Sequence, residues 1–495
     1  MEKTKSAENG LKLNYGKTIL MGFAFMASSI AWGVYDPFVT KILNRMLSAS
    51  PTIEHWSAAL VEKFPVLLTF MQAQGENVGS AAAGFTLVPL FIGIIMTFDN
   101  VFGVIFQPTF GKLSDRCHTR FGKRKPFIMA GAPIAALLFL LIPRMTSIPA
   151  LMVCIILFVF VMSLWRAPCV ALMPDLTPPA LRSEGNAVIN LVGGFGSMLA
   201  LVSATIVCLV FGIENDIDHE VEYTPYVFAF AAIIMIICTL VVTFFVHEPD
   251  SRIHTAAERN QEADAKAKRE AEKQARKEEK EALKAMKLSK GERLSLILML
   301  AGLFFLFCGA NSIQTFFALF AEEMLGKSSA EATSMMTLFA ISTALGALPA
   351  GFLGKKIGRK KTILIGLGLF LAAFIAYLTI GRIAEQSLLA LVYVALILGG
   401  FANMLITVNT LPLVLEIGGI QKVGTFTGYY YTATFSAQIA TPIVYGVVRM
   451  LSGTYASLFI YCPICFTLSL LCILGVRHGE AIPDDVIEEA EMAGD

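Results

Sequence analysis

Charge is scarce in this chain. Of its 495 residues only 16% are Asp, Glu, Lys or Arg, and the formal net charge is +1. That balance offers no basic surface for a nucleic acid partner. Histidine is scarcer still: six residues, at 55, 118, 219, 247, 254 and 478, all in loops or at the ends of apolar runs. A histidine proton relay inside those runs is thereby excluded. The chain has no HExxH, no phosphate-binding glycine loop and no His-rich face, so it is not read as a polytopic enzyme, and no metal or cofactor is expected. Nine cysteines are scattered, most of them within apolar runs, where they pack as small hydrophobes. Cys462 and Cys465 form a CxxC inside the last run with no His nearby, which reads as two packed thiols.

Apolar sequence is abundant. Hydrophobic residues make up 56% of the chain, and the mean hydropathy is +0.67. A spanning helix needs about 20 apolar residues. Twelve runs qualify: 18–43, 86–112, 126–144, 149–174, 184–212, 225–247, 294–321, 331–353, 362–381, 386–412, 423–450 and 455–476. The polar start, MEKTKSAENGLKLNYGK, precedes a run too long for a signal peptide, so that run is kept as the first span. The expected class is an all-α polytopic membrane protein.

Basic residues orient it. Six Lys or Arg crowd residues 112–125 after span 2, and five lie between 355 and 361 after span 8. The loop 213–224 carries five acids and neither Lys nor Arg. Short positive loops stay inside, so both termini are expected in the cytoplasm, in a cell (plasma or inner) membrane.

The charged stretch 248–293, rich in Ala, Glu, Lys and Arg, divides the spans six and six. It reads as a solvated connector with interspersed i,i+4 pairs; a receptor or scaffold acting through it is a competing reading. The expected units are 1–247, the linker 248–293, 294–477 and a tail 478–495. The halves repeat: Arg120-Phe-Gly-Lys-Arg-Lys125 matches Lys356-Ile-Gly-Arg-Lys-Lys361, and spans 4 and 10 end in Asp175 and Glu416. Duplicated six-span halves are one way transporters are built. The long loop 44–84 holds WSAALVEKFPVLLTFM, too short to span and expected as an interfacial helix.

At Gln107-Pro108-x-x-Gly111-x-x-Ser114-Asp115-Arg116-x-x-Thr119-Arg120-x-Gly122-Lys123-Arg124-x-Pro126-Phe127 the chain resembles the major facilitator superfamily. More narrowly it looks like the sucrose-transporter branch of the glycoside–pentoside–hexuronide:cation symporters. Arg166-Ala167-Pro168-x-x-Ala171-Leu172-x-Pro174-Asp175-x-Thr177-Pro178 and Arg182-Ser183-x-x-Asn186 extend the likeness, as does Gly424 to Gln438. The resemblance implies twelve transmembrane helices as two six-helix halves and symport by alternating access. It departs in span 2, where Gly103 and Gln107 stand in place of the paired aspartates that bind sodium in the melibiose-type branch. Proton coupling is therefore expected over sodium. Asp36 stands where relatives would carry a neutral amide.

Ionisable groups inside spans are costly, at least about 2.5–3.5 kcal/mol at a helix centre, and so face a cavity or a partner. Three stand out: Asp36, Asp99 and Arg166. Counted at 1.5 Å per residue, Asp99 and Arg166 fall near mid-membrane at similar depth. Desolvation favours the neutral form of a carboxyl and a nearby guanidinium the charged form. A mobile contact between the two would thus couple substrate position to protonation. Asp99 is expected as the proton site, Asp36 as a second proton site or outer gate, and Arg166 as a donor to sugar hydroxyls. The alternative for the pair is a static ion pair neutralising two buried charges. Amides at helical spacing, Asn190 with Asn186, Asn311 with Gln314, Asn403 with Thr407, and Gln438, suit a polyhydroxyl ligand or interhelical bonding. The charged turn reads as a cytoplasmic gate built from Gly111, Asp115, Arg116, Arg120, Gly122 and Arg124. Asp175, Arg182 and the start of span 11 would complete it. The expected function is proton-coupled symport of a sugar, a glycoside or a disaccharide such as sucrose or maltose, by a monomer in the lipid bilayer. Alternatives are a facilitator or exporter of another small neutral solute and a sodium-coupled sugar symporter.

Overall fold

Apolar runs of membrane length can satisfy their backbone in lipid by coiling into helices. The computed structural model describes residues 13–65, 86–178, 181–248, 289–380, 388–418 and 423–478, and these form helices and no strand. The first crossing is α1 (Tyr15–Ser48), followed by the short α2 (Pro51–Lys63). The second is broken at Thr97 into α3 (Val88–Met96) and α4 (Phe98–Asp115). Then come α5 (Lys125–Leu141), α6 (Ile148–Leu176), α7 (Arg182–Phe211) and α8 (Glu220–Phe245). The second set is α9 (Lys290–Leu325), α10 (Ser329–Lys356), α11 (Arg359–Ile380), α12 (Leu388–Gly418), α13 (Val423–Ser452) and α14 (Leu458–Leu474).

Among the described residues ten segments are long and apolar enough to cross a membrane, eleven if α10, bent by 44° at Pro349, counts as one. The expected run 423–450 does form a helix, α13, of 30 residues. The Thr, Tyr, Ser and Gln in its first half keep it below the apolarity of a lipid-facing span. Leu209, Val210, Phe244 and Phe245 are largely exposed, a surface suited to acyl chains rather than water. The chain is a multi-pass membrane protein.

The expected interfacial stretch is in part α2. It ends at Lys63, ahead of Pro65, and lays Leu60 and Val61 on Met450 and Val447 of α13 and on Leu87 and Leu90. Residues 66–84 of that loop, 249–288 of the expected linker and 479–495 of the tail lie outside the described residues. Within the stretch expected as linker, Glu248 is packed against the first set, and α9 starts at Lys290 under a capping box made by Ser289 and Glu292.

The bundle has an acidic end, with loop 213–224, and a basic end, with turns 112–125 and 355–361. At the acidic end the two sets of helices are bonded together. Lys41 Nζ of α1 sits 3.2 Å from Glu220 and 2.5 Å from Glu322 of α9. Ser329 donates to Glu220, Ser328 donates to Asn215 at 2.9 Å, and Thr205 meets Ser334 at 2.7 Å. Glycines let the backbones close the same seam: a Cβ at Gly93 of α3 would land on the Pro442 carbonyl of α13, and one at Gly446 on that of Pro89. Among the described residues, Arg124 with Asp115 and Asp175, and Arg359 with Glu416, pair at the basic end within their own sets.

Lys41 and Glu220 are both buried. Replacing Lys41 with Met leaves Glu220 buried without its cation and is expected to cost about 3–5 kcal/mol. Glu322→Gln, at a carboxylate that is itself one-third exposed, should cost about 1 kcal/mol or less. Thermal unfolding of the purified variants measures both; equal losses would contradict the latch as drawn.

Candidate functional site

Mid-bundle, the structure brings together four of the expected residues. Asp36 lies on α1 one residue before Pro37, and 12 residues from the helix end, about 18 Å below it. That is deeper than the expected span allowed, because α1 runs on to Ser48. Gln314 of α9 donates its Nε2 to Asp36 Oδ2 at 3.4 Å, so the two helix sets meet at this carboxylate. Asp99 stands in the first turn of α4, beside the break at Thr97, where a helix N-terminus favours negative charge. Its Oδ1 accepts from the Asn100 backbone N–H at 2.6 Å and side-chain amide at 2.8 Å. Thr97 secures the break, donating to Gly93 O at 2.9 Å and, across the sets, to Ile439 O at 3.2 Å.

Arg166 of α6 is within electrostatic reach of both carboxylates. Among the described residues it makes no ion pair with either, so the static pair considered from sequence is not formed here. Its guanidinium carbon instead lies 5.8 Å from the centre of the Trp32 ring. Asp36, Asp99 and Arg166 are all half-buried, as groups lining an opening would be. Trp32 Nε1, Tyr35 Oη and Asn311 Nδ2 are buried donors with no hydrogen-bond partner among the described residues. Trp32 and Tyr35 were not singled out by sequence. Their signal was position alone, Trp32 one turn and Tyr35 one residue before Asp36.

The other amides are not joined to this cluster. Asn190 is exposed, and its amide is spent on Asn186 O of its own helix at 2.8 Å. Asn403 and Gln438 are half-buried on α12 and α13, and Asn403 O accepts from Thr407 at 2.9 Å.

The charged turn is organised by Arg124. It donates Nε to Asp175 at 2.7 Å, Nη2 to Asp115, and Nη1 to Ser114 and to Gly111 O. Asp115 and Arg116 are the expected partners of Asp175, Arg182 and the start of span 11; instead Arg124 pairs with both Asp115 and Asp175. Arg116 caps the C-terminus of α4 and is exposed, and Arg120 lies over the Phe121 ring at 4.5 Å. The Arg182 side chain and the first residues of α13 lie outside the described side chains. Gly122 has φ +97°, a left-handed turn that needs glycine. Glu248 accepts from the backbone N–H of Lys123, Arg124 and Lys125, while Lys125 Nζ donates to Thr243 O and Val246 O, both at 2.8 Å. The N-terminus of α5 and the C-terminal end of α8 thus cap each other.

The second copy repeats the device with one residue fewer. Gly358 has φ +95°. Arg359 pairs with Glu416, and Lys360 Nζ donates to Leu474 O and Val476 O. Contacts therefore align Arg359 with Arg124 and Lys360 with Lys125, one position off the glycine-based match. Arg124→Lys removes the planar fork that holds two carboxylates at once. It is expected to lower transport rate more than substrate affinity; a loss confined to affinity would place the turn in the binding site.

Among the described residues one group has metal-ligand spacing, Glu214, Asp216 and His219, largely exposed at the acidic end. His219 Nδ1 lies 2.7 Å from Asp216, and that hydrogen bond raises its proton affinity above the usual imidazole range. The cysteines form no disulfide among the described residues.

A family model described as "MFS/sugar transport protein" matches residues 85–417. An uncharacterized MFS-type transporter of Schizosaccharomyces pombe is 29% identical over 164 residues, 32% of this chain. The match spans 34% of that relative's length, about a third. The fold resembles a peptide transporter (POT) solved with alafosfalin, at TM-score 0.60 and 14% identity over 92% of this chain and 93% of that one. It also resembles a D-xylose–proton symporter, at TM-score 0.58 and 17% identity over 94% and 97%.

Proposed function

This chain belongs to the MFS/sugar transport protein family, and from that premise we propose that it imports a small glycoside or disaccharide together with a proton, by alternating access. The observation that carries the reading is the mid-bundle cluster: two carboxylates, one guanidinium and the Gln314 amide, reached by both helix sets. Asp99 and Asp36 are the proton sites. Arg166, and the Asn311 donor three residues before Gln314 on α9, offer hydrogen bonds to sugar hydroxyls. Asn190, Asn403 and Gln438 belong to the proposed binding surface only if the cavity rearranges around substrate.

In this reading the basic end faces the cytoplasm, with both termini, in the cell membrane. The bonded acidic end is then the outer side, and the arrangement is the inward-facing one. The two six-helix halves rock about the cluster, and the Arg124 and Arg359 turns keep each half's inner end rigid. The protein acts as a monomer, its coupling ion a proton and its partners sugar and lipid.

Reconstitution into liposomes with a sugar panel, under separately imposed proton and sodium gradients, tests this. Accumulation driven by the proton gradient is expected. Accumulation driven by sodium alone, or mere equilibration under both, would replace it with the sodium-coupled or the facilitator reading.

A further inference from the structure

We infer that Trp32 is a positioning residue: its ring holds the Arg166 guanidinium away from Asp36 and Asp99 and so leaves both carboxylates free to take up a proton. This rests on the proton-coupled reading above. An arginine near two carboxylates at low dielectric ordinarily docks on one of them, two N–H groups to two oxygens. Here it does not. The guanidinium lies over the indole face, 5.8 Å from its centre, within the range of a cation–π contact, for which tryptophan is the best partner.

The ring cannot follow the arginine if it moves. Tyr35 meets Trp32 edge-on at 5.3 Å and 80°, and Phe158 meets it at 6.0 Å and 60°. Tyr35 and Phe158 stack on each other at 5.4 Å, and behind them Phe139 packs on Phe158 and Phe228. Next to Trp32, Gly33 lets α1 seat directly on Ala200 of α7, where a Cβ would come within 2.6 Å of the alanine's. The platform is therefore fixed to the wall of the first helix set. It lies one helical turn from Asp36 on the same face.

Among the described residues, few groups surround the guanidinium and its two carboxylates. From α1 come Asp36 and the Tyr35 hydroxyl, and from α4 Asp99. From α6 come Arg166 itself and the Cys169 thiol, while the Cys154 thiol lies by the Tyr35 hydroxyl. From α9 comes the neutral Gln314. With one cation for two carboxylates, where the guanidinium rests decides which of them stays ionised. A resting place on an aromatic face commits it to neither.

The test is an infrared titration of the protonated-carboxyl band in the purified protein in lipid, without sugar, the band assigned with Asp36→Asn and Asp99→Asn. Trp32→Leu frees the guanidinium to pair and is expected to move the titration midpoint down by about one pH unit or more, a tenfold loss of proton affinity. Trp32→Phe retains a π face and should stay near wild type. Site-specific fluorinated tryptophans at position 32 weaken the ring's face without changing its shape, so they read the same quantity even where Trp32→Leu fails to fold. The midpoint should fall stepwise with each added fluorine. A midpoint indifferent to fluorination, or equal shifts in the Leu and Phe variants, would reduce Trp32 to packing and overturn the inference. If titration behaves as expected while no sugar is accumulated, the sugar-transport reading falls and the role of Trp32 stands.

Discussion

Asp99→Asn is expected to abolish uphill uptake while leaving exchange of labelled for unlabelled substrate. Asparagine keeps the size and the hydrogen-bonding oxygen of the side chain, and so can still accept from the Asn100 backbone and side chain. It cannot release a proton. The variant is fixed in the charge state of a protonated carrier, which can return loaded with substrate but cannot discharge its proton inward. Each unit of pH gradient is worth about 1.4 kcal/mol per proton and sustains about a tenfold accumulation. That accumulation should fall to simple equilibration in the variant, with exchange rates of wild-type order. Concentrative uptake by Asp99→Asn would move the proton site elsewhere, first to Asp36, which Gln314 ties to the opposite helix set.

Gly93→Val is expected to open the acidic end. At Gly93 the backbone of α3 lies against the Pro442 carbonyl and Ile443 of α13, and α13 answers with Gly446 against Pro89 and Leu90. The obstacle to a side chain is backbone, not a flexible side-chain tip. Forcing bulk into such a contact costs about 1–3 kcal/mol, which reduces the closed population by about tenfold. The cost falls on the closed arrangement alone, since α3 and α13 belong to different helix sets. Labels at Asp218 and Gly326, both exposed at the acidic end, should move apart, and net transport should slow because the arrangement closed at the acidic end is visited less often. An unchanged label distance with normal transport would mean that the seam is not the moving contact.

Much of the fold was legible because lipid imposes a simple rule on sequence. Runs of about 20 apolar residues must be helices, and the ends of α5, α6 and α7 fall within a few residues of the runs read for them. The break at Thr97 was not legible. It depends on Thr97 bonding Ile439, more than three hundred residues away in the chain, and nothing local announces it. The length of α1 beyond residue 43 was missed because Leu43 to Ser48 include Asn44 and Arg45, which read as a loop. Their place in the helix is settled by packing, Leu43 and Leu47 being buried.

The site was legible in part for a similar reason. Charge inside an apolar run is rare enough to be noticed, so Asp36, Asp99 and Arg166 stood out. Their relation to one another was not, since a guanidinium near two carboxylates suggests an ion pair, and the Trp32 ring that receives it is an ordinary residue of an apolar helix. The turn motif pointed to charge pairing across residues 111–125 and 175. Whether Arg116 or Arg124 would do the pairing depends on where α4 ends, and Arg116 is already past that end. The glycine match between repeats misjudged the second turn by one residue because basic residues follow the glycine in both, and the pairing arginine comes one position sooner after Gly358.

The most direct measurement uses proteoliposomes carrying a pH-reporting dye, with equal pH on both sides and no sodium. Adding a transported sugar outside should acidify the lumen as labelled sugar enters, and Asp99→Asn should leave the lumen flat. Sugar entering the wild-type vesicles without any change in lumen pH would contradict proton coupling through this cluster.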